Sequence, residues 1–380
     1  MKFRVERDVF AEAVAWAARS LPTRPSVPVT SGLVVESGDE GLVLSGFDYE
    51  TSARVSIAAE VAEEGRALVS GRLLADISRS LPNKPVDLQA EGTKVSLTCG
   101  SARFSLQTMP VEDYPTLPQM PSASGTVKSD LFAAAVAQAV TAAGRDDMFP
   151  ILTGVRIEIE GSSIALMATD RYRLSLRDLE WNPEDPGIST AALVPARVLA
   201  ETAKSLSSGS EVTLALAASS SGEGLMGFEG SSAGGIRRTT TRLLDGEFPK
   251  VRSLFPAEST TTARVETGAL VEALKRVALV AECNTPVRLS FTDSLVTLDA
   301  GSGDEAQATE SLEAHVDGDD ISIGFNPGYL LDGLSAIGAP VAHLSFTQPT
   351  RPAALSGASD LDSTPLQDFR YLLMPVRLQG

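Results

Sequence analysis

Cysteine, histidine and aromatic side chains are scarce in this chain of 380 residues. It has two cysteines, two histidines and only 5% aromatic residues. Cys99 and Cys283 lie in different parts of the chain, and no Cys/His cluster has the spacing of a metal site, so we expect reduced thiols and no metal. His315 and His343 lie near no candidate nucleophile. We therefore expect neither catalytic residues nor a cofactor.

Long apolar runs are also missing. No segment approaches the roughly 18 consecutive apolar residues that a membrane span requires. Residues 1–7 alternate charged and apolar side chains and do not form the apolar stretch of a signal peptide. Hydrophobic residues still make up 43% of the chain, which is enough for a core built mainly from Val, Leu, Ile and Ala. These observations predict a cytoplasmic protein with no membrane partner.

A long internal repeat is present instead. Residues 68–81 and 193–206 are similar, and residues 323–334 form a looser third copy. The equivalent leucines of the three copies are 125 and 132 residues apart, at positions 74, 199 and 331, which is a domain length and exceeds a solenoid repeat of about 20–50 residues. Proline-rich connections are predicted near 114–121 and 248–256. The predicted domains are 1–124, 125–257 and 258–380.

Each copy is predicted to have the same elements. An Ala-rich helix follows a short strand, and a second helix lies in the similar segment just described. The predicted order is β-α-β-β-β-α-β-β-β, an α+β domain in which two helices pack on antiparallel sheets. The first helices are predicted at 9–18 with Asp8 as N-cap, at 131–140 after Ser129 or Asp130, and at 269–280. The Ser/Gly-rich stretches 219–224 and 230–235 predict a mobile hairpin tip.

The charge is distributed unevenly. The net charge is −17, which by itself argues against nucleic-acid binding. The six predicted helices with their caps nevertheless carry ten basic and seven acidic residues. A solvated helix face explains such charges equally well, but an excess of cations on the helices of an acidic protein also suits a surface that faces phosphates without reading bases. The basic residues are Arg7, Arg19, Arg72, Arg79, Lys128, Arg145, Arg197, Lys204, Lys275 and Arg276.

One catalytic motif occurs formally. Gly230-Ser231-Ser232-Ala233-Gly234 matches G-x-S-x-G, but a nucleophile elbow needs a strand before the serine and a helix after it. The surrounding Ser/Gly-rich stretch predicts neither, so the chain is expected not to be an enzyme. A hydrolase using Ser232 and a monomeric repeat scaffold are the two alternative hypotheses.

Two segments depart from the repeat. Residues 168–174 differ in context from residues 46–51 of the first copy, and residues 371–378 form an apolar tail with Met and Pro. The tail is predicted to be a last strand that also contributes to a shallow apolar pocket, since adaptable Met side chains often line surfaces that accept several partners.

Short matching segments run along the whole chain in a fixed order. They are Met1-Lys2-Phe3, Leu21 with Arg24-Pro25 and Pro28, 103–106, Thr169-Asp170 with Arg173-Leu174, Asp245-Gly246 with Phe248-Pro249, 324–326 with Tyr329, and 374–378. On these segments the chain resembles the bacterial sliding clamp family, the beta subunit of DNA polymerase III.

The resemblance implies a function and an assembly. Two chains would associate head to tail, and their six domains would close a ring whose helices line a hole for duplex DNA, bound without sequence specificity. Such a clamp is a processivity factor, since it tethers the polymerase at the primer end. The implied partners are duplex DNA, a second copy of the chain, the replicative polymerase catalytic subunit, the clamp loader, and other polymerases and repair proteins that carry a clamp-binding peptide.

The resemblance also implies three sets of residues. The peptide-binding pocket would lie between the second and third domains and comprise Leu152, Thr169, Arg171, Tyr172, Arg173, Leu174, Pro249, Leu254, Asn326, Tyr329, Met374, Pro375, Val376 and Arg377. The residues facing DNA would be Arg24, Arg72, Arg79, Arg197, Lys204 and Lys275. The dimer interface would comprise Phe104, Leu106, Lys275, Arg276, Leu279 and Val280.

The chain departs from the family pattern in places. Many relatives have Gly where this chain has Arg171, and some have Arg at the position of Ser253. The proline-bearing segment 349–352 is divergent, and Gln379-Gly380 extends past the usual final Leu.

Overall fold

The structure is a computed structural model that describes residues 1–217, 224–232, 234–281, 285–301 and 306–378. By its internal contacts the chain forms two compact units. Unit 1 is Met1–Ala133 with Trp181–Leu243, and unit 2 is Ala134–Glu180 with Leu244–Gly380. The division therefore runs through the second sequence repeat, and the boundaries predicted at 124 and 257 stay predictions.

The same order of elements occurs three times in the described residues: a strand, a helix, five strands, a helix and three strands. The first repeat has β1 (Lys2–Val5), α1 (Arg7–Ala18), β2 (Gly32–Gly38), β3 (Gly41–Phe47), β4 (Thr51–Ile57), β5 (Glu60–Glu63), β6 (Gly65–Ser70), α2 (Gly71–Ser80), β7 (Val86–Glu91), β8 (Lys94–Cys99) and β9 (Ala102–Met109).

The second and third repeats follow the same plan. The second has β10 (Gly125–Lys128), α3 (Ser129–Ala139), β11 (Gly154–Glu160), β12 (Ser163–Thr169), β13 (Arg173–Glu180), β14 (Asn182–Pro183), β15 (Ser189–Pro195), α4 (Ala196–Ser205), β16 (Glu211–Ala217), β17 (Leu225–Ser232) and β18 (Gly235–Arg242). The third has β19 (Thr261–Glu266), α5 (Thr267–Val277), β20 (Val287–Thr292), β21 (Leu295–Ala300), β22 (Ala308–Glu313), β23 (His315–Gly318), β24 (Ile321–Phe325), α6 (Pro327–Ala336), β25 (Val341–Phe346), β26 (Ala353–Ala358) and β27 (Phe369–Leu373).

The predicted α+β class is confirmed, but the expected three strands between the helices are wrong, since each repeat has five. Among the extra strands, β5, β14 and β23 are short and largely exposed. Each pairs with the first strand of its own repeat. Their own sequences carry little of the apolar alternation that marks a half-buried strand, so backbone pairing with a neighbour defines them.

The first helices begin earlier than predicted. Helix α1 has Glu6 as N-cap, which puts Asp8 inside the first turn, where a carboxylate favours the helix dipole. Helix α3 begins at Ser129, so neither Ser129 nor Asp130 precedes the helix. Helix α5 is capped by the Glu266 carboxylate, which accepts hydrogen bonds from two backbone N–H groups, and a 3₁₀ turn follows at Ala278–Val280.

Unit 1 contains one continuous sheet that joins the first two repeats. Strand β18 of the second repeat pairs antiparallel with β4 of the first, with Thr239 opposite Ala53. Helices α1 and α2 pack on the first-repeat part of this sheet and bury Phe10, Val14 and Leu74 in its core. The strand order is β14-β10-β16-β17-β18-β4-β3-β2-β6-β9-β8-β7-β1-β5.

Unit 2 repeats this joint between the second and third repeats. Strand β13 pairs antiparallel with β27, with Ser175 opposite Tyr371. Its strands follow the order β11-β12-β13-β27-β26-β25-β19-β23 in one sheet and β22-β21-β20-β24 in another. Helices α5 and α6 bury Leu270, Leu274, Leu330 and Leu334 in the core of the third repeat. The sequence repeat did not predict that neighbouring copies share a sheet.

The connection at 114–121 is anchored by a buried tyrosine. The Tyr114 hydroxyl accepts a hydrogen bond of 2.7 Å from the backbone N–H of Phe47. Burial raises the pKa of Tyr114 to about 12. Apart from a 3₁₀ turn at Val111–Asp113, residues 110–124 form neither helix nor strand. One buried side chain therefore ties the proline-rich connection to β3.

The remaining sequence expectations have mixed outcomes. Cys99 is a buried free thiol, whereas Cys283 lies outside the described residues.

The hairpin of β17 and β18 extends further than predicted. Residues 230–232 lie in β17 and Gly235 begins β18, with Ser232 opposite Gly235. Of the stretch 219–224, only Gly224 is described. In the described part of the chain, no helix is long and apolar enough to cross a membrane.

Candidate functional site

Unit 2 contains a cavity of about 580 Å³ on its surface. Three segments enclose it: the loop between α3 and β11, the turn between β12 and β13, and the first turns of α6. The lining residues are Ala143, Gly144, Arg145, Asp146, Phe149, Leu152, Asp170, Arg171, Tyr172, Arg173, Asn326, Gly328, Tyr329 and Asp332.

The turn between β12 and β13 is held by side chains that cap backbone groups. The Asp170 carboxylate accepts hydrogen bonds from the backbone N–H groups of Tyr172 and Arg173, both at 3.1 Å. The Thr169 hydroxyl donates to the Arg173 carbonyl at 2.7 Å and accepts from the Arg171 N–H at 3.2 Å. Short polar side chains of this kind commonly close tight turns.

The same turn occurs in the first repeat, contrary to the expectation that residues 168–174 differ in context. Between β3 and β4, the Asp48 carboxylate accepts hydrogen bonds from the N–H groups of Glu50 and Thr51. The residue after each aspartate has a left-handed backbone, with φ of 76° at Tyr49 and 80° at Arg171. The two repeats therefore share the turn and differ in the side chains it presents.

Arg173 connects the turn to α6. Its guanidinium bonds to the Asp170 carboxylate at 2.9 Å and to the Asp332 carboxylate at 2.6 Å, and it lies 4.3 Å from the centre of the Tyr329 ring. Burial lowers the pKa of Arg173, but hydrogen bonds to Asp332, Tyr371 and Asp170 outweigh burial and raise it. Arg173 is therefore a fixed cation whose charge is compensated within the protein.

Two tyrosines form an aromatic wall of the cavity. The rings of Tyr172 and Tyr329 stack with their centres 6.2 Å apart. The Asn326 side chain caps α6 by accepting a hydrogen bond of 3.0 Å from the Tyr329 N–H. The buried Tyr371 hydroxyl donates to the Tyr329 carbonyl at 2.9 Å, and burial raises the Tyr371 pKa. The cap and this buried tyrosine position the wall.

The opposite side of the cavity is a compact loop. The Gly144 N–H donates to the Leu152 carbonyl at 2.7 Å, and the Phe149 N–H donates to the Asp146 carbonyl at 3.0 Å. Phe149 is 41% exposed. The Arg171 guanidinium lies 4.2 Å from the centre of the Phe149 ring, which brings the loop and the turn together by a cation–π contact.

The C-terminal segment runs beside the cavity. The Met374 N–H donates to the Tyr172 carbonyl at 2.9 Å, and the Val376 N–H donates to the Gly324 carbonyl at 2.8 Å. Met374 is 42% exposed and Val376 37% exposed. An apolar strip therefore continues from the cavity along residues 374–378.

Six of the fourteen residues expected in a peptide pocket line this cavity: Leu152, Arg171, Tyr172, Arg173, Asn326 and Tyr329. Thr169 and Leu174 are buried behind the turn, and Met374 to Arg377 belong to the adjoining strip. Pro249 and Leu254 are exposed and are not part of the lining.

Sequence reasoning missed eight lining residues: Ala143, Gly144, Arg145, Asp146, Phe149, Asp170, Gly328 and Asp332. Arg145 was counted with the helices, but it lies beyond the 3₁₀ turn that ends at Ala142. Only the exposed pair Met148-Phe149 carried a signal, since two large apolar residues in a charged loop are unusual.

The cations expected to face DNA are all exposed. Arg79, Arg197 and Lys275 each pair with a carboxylate on their own helix, at 3.6, 3.1 and 2.7 Å. In the described parts of the chain, Arg24, Arg72 and Lys204 have no carboxylate within 4.0 Å. Arg72 and Arg79 lie on α2, Arg197 and Lys204 on α4, Lys275 on α5, and Arg24 in the loop after α1.

The residues expected at a dimer interface differ in exposure. Leu279 is 83% exposed, and the Arg276 guanidinium bonds to Glu310 of β22 at 2.6 Å. Lys275 is exposed, whereas Val280 and Phe104 are partly buried. The side chain of Leu106 is 3% exposed and belongs to the core of unit 1, so the expected pairing of its edge strand with a second chain, which stays a prediction, would involve the backbone of Leu106.

The serine motif does not form a nucleophile elbow. Ser232 ends β17, and the strand β18 follows, where an elbow requires a helix. Its hydroxyl donates to the Gly235 carbonyl at 3.4 Å. Among the described residues, no group of three or more His, Cys, Asp or Glu side chains could hold a metal ion. The cavity offers aromatic surface, cations and hydrogen-bond donors, which suit a peptide.

Replacing Asp170 with Ala should destabilise unit 2 by about 1.5–3 kcal/mol, because it removes hydrogen bonds to two N–H groups and to the buried Arg173 guanidinium. Asp48→Ala is the matched control, since that carboxylate caps the same turn without an arginine. Urea denaturation and amide exchange at residues 169–174 measure the effect. Equal losses in the two variants would contradict a stabilising role for the Asp170–Arg173 pair.

Comparisons with known proteins agree with one another along the whole chain. Models of the DNA polymerase III beta subunit match in succession: its N-terminal domain at residues 1–118, its central domain at 126–250 and its C-terminal domain at 252–377. The beta sliding clamp of Streptomyces coelicolor is 60% identical over 380 residues, which is 100% of both chains.

Solved structures agree with the sequence comparisons. The DNA polymerase sliding clamp of Bacillus subtilis matches with a TM-score of 0.90 and 25% identity over 100% of both chains. A sliding clamp of Pseudomonas aeruginosa bound to griselimycin matches with a TM-score of 0.89 and 26% identity, again over 100% of both chains. The chain therefore belongs to the family of the DNA polymerase III beta subunit, the beta sliding clamps.

Proposed function

We propose that this chain is a DNA polymerase processivity factor, a sliding clamp that closes around duplex DNA as a head-to-tail homodimer and recruits partners through the cavity of unit 2. The observation that carries the proposal is the repeated pairing of strands between neighbouring repeats, which leaves one matching pair of strand edges for a second chain.

The joints between repeats follow one rule. The third strand after the first helix of a repeat pairs with the last strand of the next repeat, as β4 pairs with β18 and β13 pairs with β27. By the same rule β22 should pair with β9. Within the described residues, β22 pairs only with β21, and β9 pairs along residues 102–107 only with β8. These are the two edges that a second chain would complete.

A head-to-tail contact of this kind is heterologous, since it joins different surfaces of the two chains. Such contacts form a closed ring when the rotations between successive repeats add up to a full circle. Two chains of three domains, divided at 1–124, 125–257 and 258–380, would give a ring of six. The Arg276–Glu310 pair supports a seam that includes the end of α5, since it ties that helix to β22. In this seam Leu106 would contribute backbone groups, while Phe104, Lys275, Leu279 and Val280 would contribute side chains.

The bound nucleic acid would be duplex DNA, held through its phosphates. Exposed cations on α2, α4 and α5 and in the loop after α1 support this assignment. Phosphate contacts carry no sequence information and weaken with salt, which suits a protein that slides. The residues assigned to this surface are Arg24, Arg72, Arg79, Arg197, Lys204 and Lys275.

The cavity and the adjoining C-terminal strip would bind a short peptide of a partner protein. Aromatic and apolar lining with a few fixed polar groups is typical of a peptide site. The partners proposed are the replicative polymerase catalytic subunit, the clamp loader, and other polymerases and repair proteins. The site comprises Leu152, Thr169, Arg171, Tyr172, Arg173, Leu174, Asn326, Tyr329 and 374–377, with Pro249 and Leu254 as outlying members.

We propose no catalytic activity for this chain and place its function in the cytoplasm, with the bacterial chromosome. The alternative hydrolase is disfavoured because Ser232 lies in a hairpin of two strands. Labelling by a fluorophosphonate is the direct test of that alternative.

Replacing Leu279 with Asp should convert the dimer to a monomer. The Leu279 side chain is 83% exposed in the single chain and would be buried in the proposed seam, so an aspartate there would place a buried charge in the interface. We expect the dissociation constant to rise by about 100-fold. Sedimentation measures the mass, with 39.8 kDa for one chain. Leu366→Asp is the control, since Leu366 is 45% exposed and outside the proposed seam. A dimer that survives Leu279→Asp contradicts this seam.

Reversing Arg24, Arg197 and Lys204 to Glu together should shorten retention of the loaded clamp on circular primed DNA. The slope of log retention against log salt should fall by about 0.9 for each phosphate that the variant no longer neutralises. The control reverses Lys94, Arg242 and Arg351, which are exposed cations off the assigned surface and give the same change of net charge. Equal retention of the two triple variants would show that the assigned surface does not face DNA.

Deleting residues 374–380 should weaken griselimycin binding by at least about tenfold and leave the dimer intact, because the deletion removes the apolar strip and the Met374–Tyr172 backbone bond. Calorimetry measures the affinity, and sedimentation checks the dimer. Deleting only residues 379–380 is the control and should preserve binding. An unchanged affinity after deletion of residues 374–380 would show that the tail does not belong to the binding site.

A further inference from the structure

We infer that Asp76 and Glu201 each compete with the DNA phosphates for a neighbouring cation, which keeps the phosphate contacts of the clamp short-lived and lets it slide. This inference rests on the proposed function and adds two residues that limit the strength of DNA binding. Three observations carry it: a charge spacing that occurs on two helices, the ion pairs formed there, and the third repeat, in which the cations are missing.

Helices α2 and α4 carry the same three charges in the same order. Counted from the N-caps Ser70 and Pro195, a cation lies at the second residue, an acid at the sixth and a cation at the ninth. At 3.6 residues per turn, positions that differ by four and by seven lie on one face of a helix, here about 6 Å and about 10 Å apart along its axis. The acid therefore lies between the two cations. These residues are Arg72, Asp76 and Arg79 on α2, and Arg197, Glu201 and Lys204 on α4.

The two helices show the two pairings that this spacing allows. On α2 the acid pairs with the cation on its C-terminal side, Asp76 with Arg79 at 3.6 Å. On α4 the acid pairs with the cation on its N-terminal side, Glu201 with Arg197 at 3.1 Å. In the described part of the chain, the other cation of each helix has no carboxylate within 4.0 Å. One acid thus occupies one of two cations and leaves the other free.

Both ion pairs are open to solvent and exchange readily. The four side chains are between 60% and 88% exposed. Ion pairs at such positions contribute little to stability, and exposed side chains change rotamer within picoseconds to nanoseconds. A phosphate can therefore take the cation from the acid, and the acid can take it back, without any change in the backbone.

The third repeat shows the acid where the two cations are missing. Helix α6, counted from its N-cap Asn326, has Gly328 and Ser335 in place of the cations. Asp332 occupies the acid position and bonds to the buried Arg173 guanidinium at 2.6 Å. The acid of α6 is thus committed to a cation of the fold, whereas the acids of α2 and α4 pair with cations assigned to DNA. The alternation of one acid between two cations is confined to the helices that supply these DNA contacts.

Competition of this kind determines how long a phosphate stays bound. A cation that binds a phosphate releases counterions, so two free cations on each helix would hold the duplex more tightly and make binding depend more steeply on salt. A carboxylate on the same helix face offers the cation an alternative charged partner. The phosphate contact then breaks without leaving the cation unpaired, which lowers the barrier to each step. The proposed ring retains DNA by enclosing it, so tight binding is not needed for retention.

The experiment compares the native chain with the double variant Asp76→Asn, Glu201→Gln, which keeps the size of both side chains and removes their charge. The dye-labelled clamp is loaded by the clamp loader onto a stretched duplex with blocked ends, and single-molecule tracking measures its diffusion coefficient. The variant should diffuse about three- to fivefold more slowly, because the freed cations prolong each phosphate contact. Its diffusion coefficient should also depend more steeply on salt.

Two further variants separate this effect from net charge and from helix stability. Asp39→Asn with Glu184→Gln makes the same change of net charge at exposed positions outside the helices and should diffuse like the native chain. Adding Arg79→Gln and Arg197→Gln to the amide variant leaves one free cation on each helix and should restore native diffusion. That variant still lacks both ion pairs, so an effect of helix stability would persist in it.

The outcomes distinguish the inference from the proposed function. Equal diffusion of the native chain and the amide variant overturns the inference, as does slow diffusion that persists after the two arginines are replaced. Equal slowing in the Asp39→Asn, Glu184→Gln control also overturns it, since net charge would then be the cause. A native chain that leaves end-blocked duplex as fast as open linear duplex would instead show that the proposed sliding clamp is wrong.

Discussion

Backbone pairing between repeats is the constraint on which the rest of the molecule depends. Strand β18 completes the sheet of the first repeat at β4, and β27 completes that of the second repeat at β13. Each joint satisfies a row of N–H and C=O groups that would otherwise remain unpaired at a sheet edge. The joints recur because each repeat presents the same two edges. The boundaries of the two compact units therefore do not coincide with those of the sequence repeats, and the middle repeat is divided between the two units.

The cavity depends on one of these joints. Pairing of β13 with β27 places Arg173 opposite Leu373, so the chain continues from the joint directly into the strip at 374–378. The same joint brings Tyr371 beneath α6, where its hydroxyl bonds to the Tyr329 carbonyl. The Arg173 guanidinium then links the turn to the helix through Asp332. The cavity is thus assembled from the places where the repeats meet, which explains why the repeat itself does not contain it.

The sequence predicted the fold class and the positions of the helices well, since Ala-rich apolar periodicity and a threefold repeat are local signals. It missed β5, β14 and β23, whose existence depends on a partner strand and not on their own pattern. At the cavity, resemblance identified Arg173 and Tyr329, but no pattern indicated Asp332, which only the fold brings to Arg173. The sequence also did not indicate that the Leu106 side chain is buried, because an edge strand offers its backbone to a partner while burying alternate side chains.

The character of β22 bears on how a closed assembly could be opened and closed again. Its residues alternate between partly buried and exposed, with Thr309, Ser311 and Glu313 on the exposed positions. Hydroxyl and carboxylate groups along an edge keep it hydrated when its partner strand leaves, and they discourage pairing with foreign chains. An edge composed of Val and Ile would close more firmly but would aggregate once parted. The polar edge therefore suits the proposed interface with a second chain, which would have to open and close repeatedly.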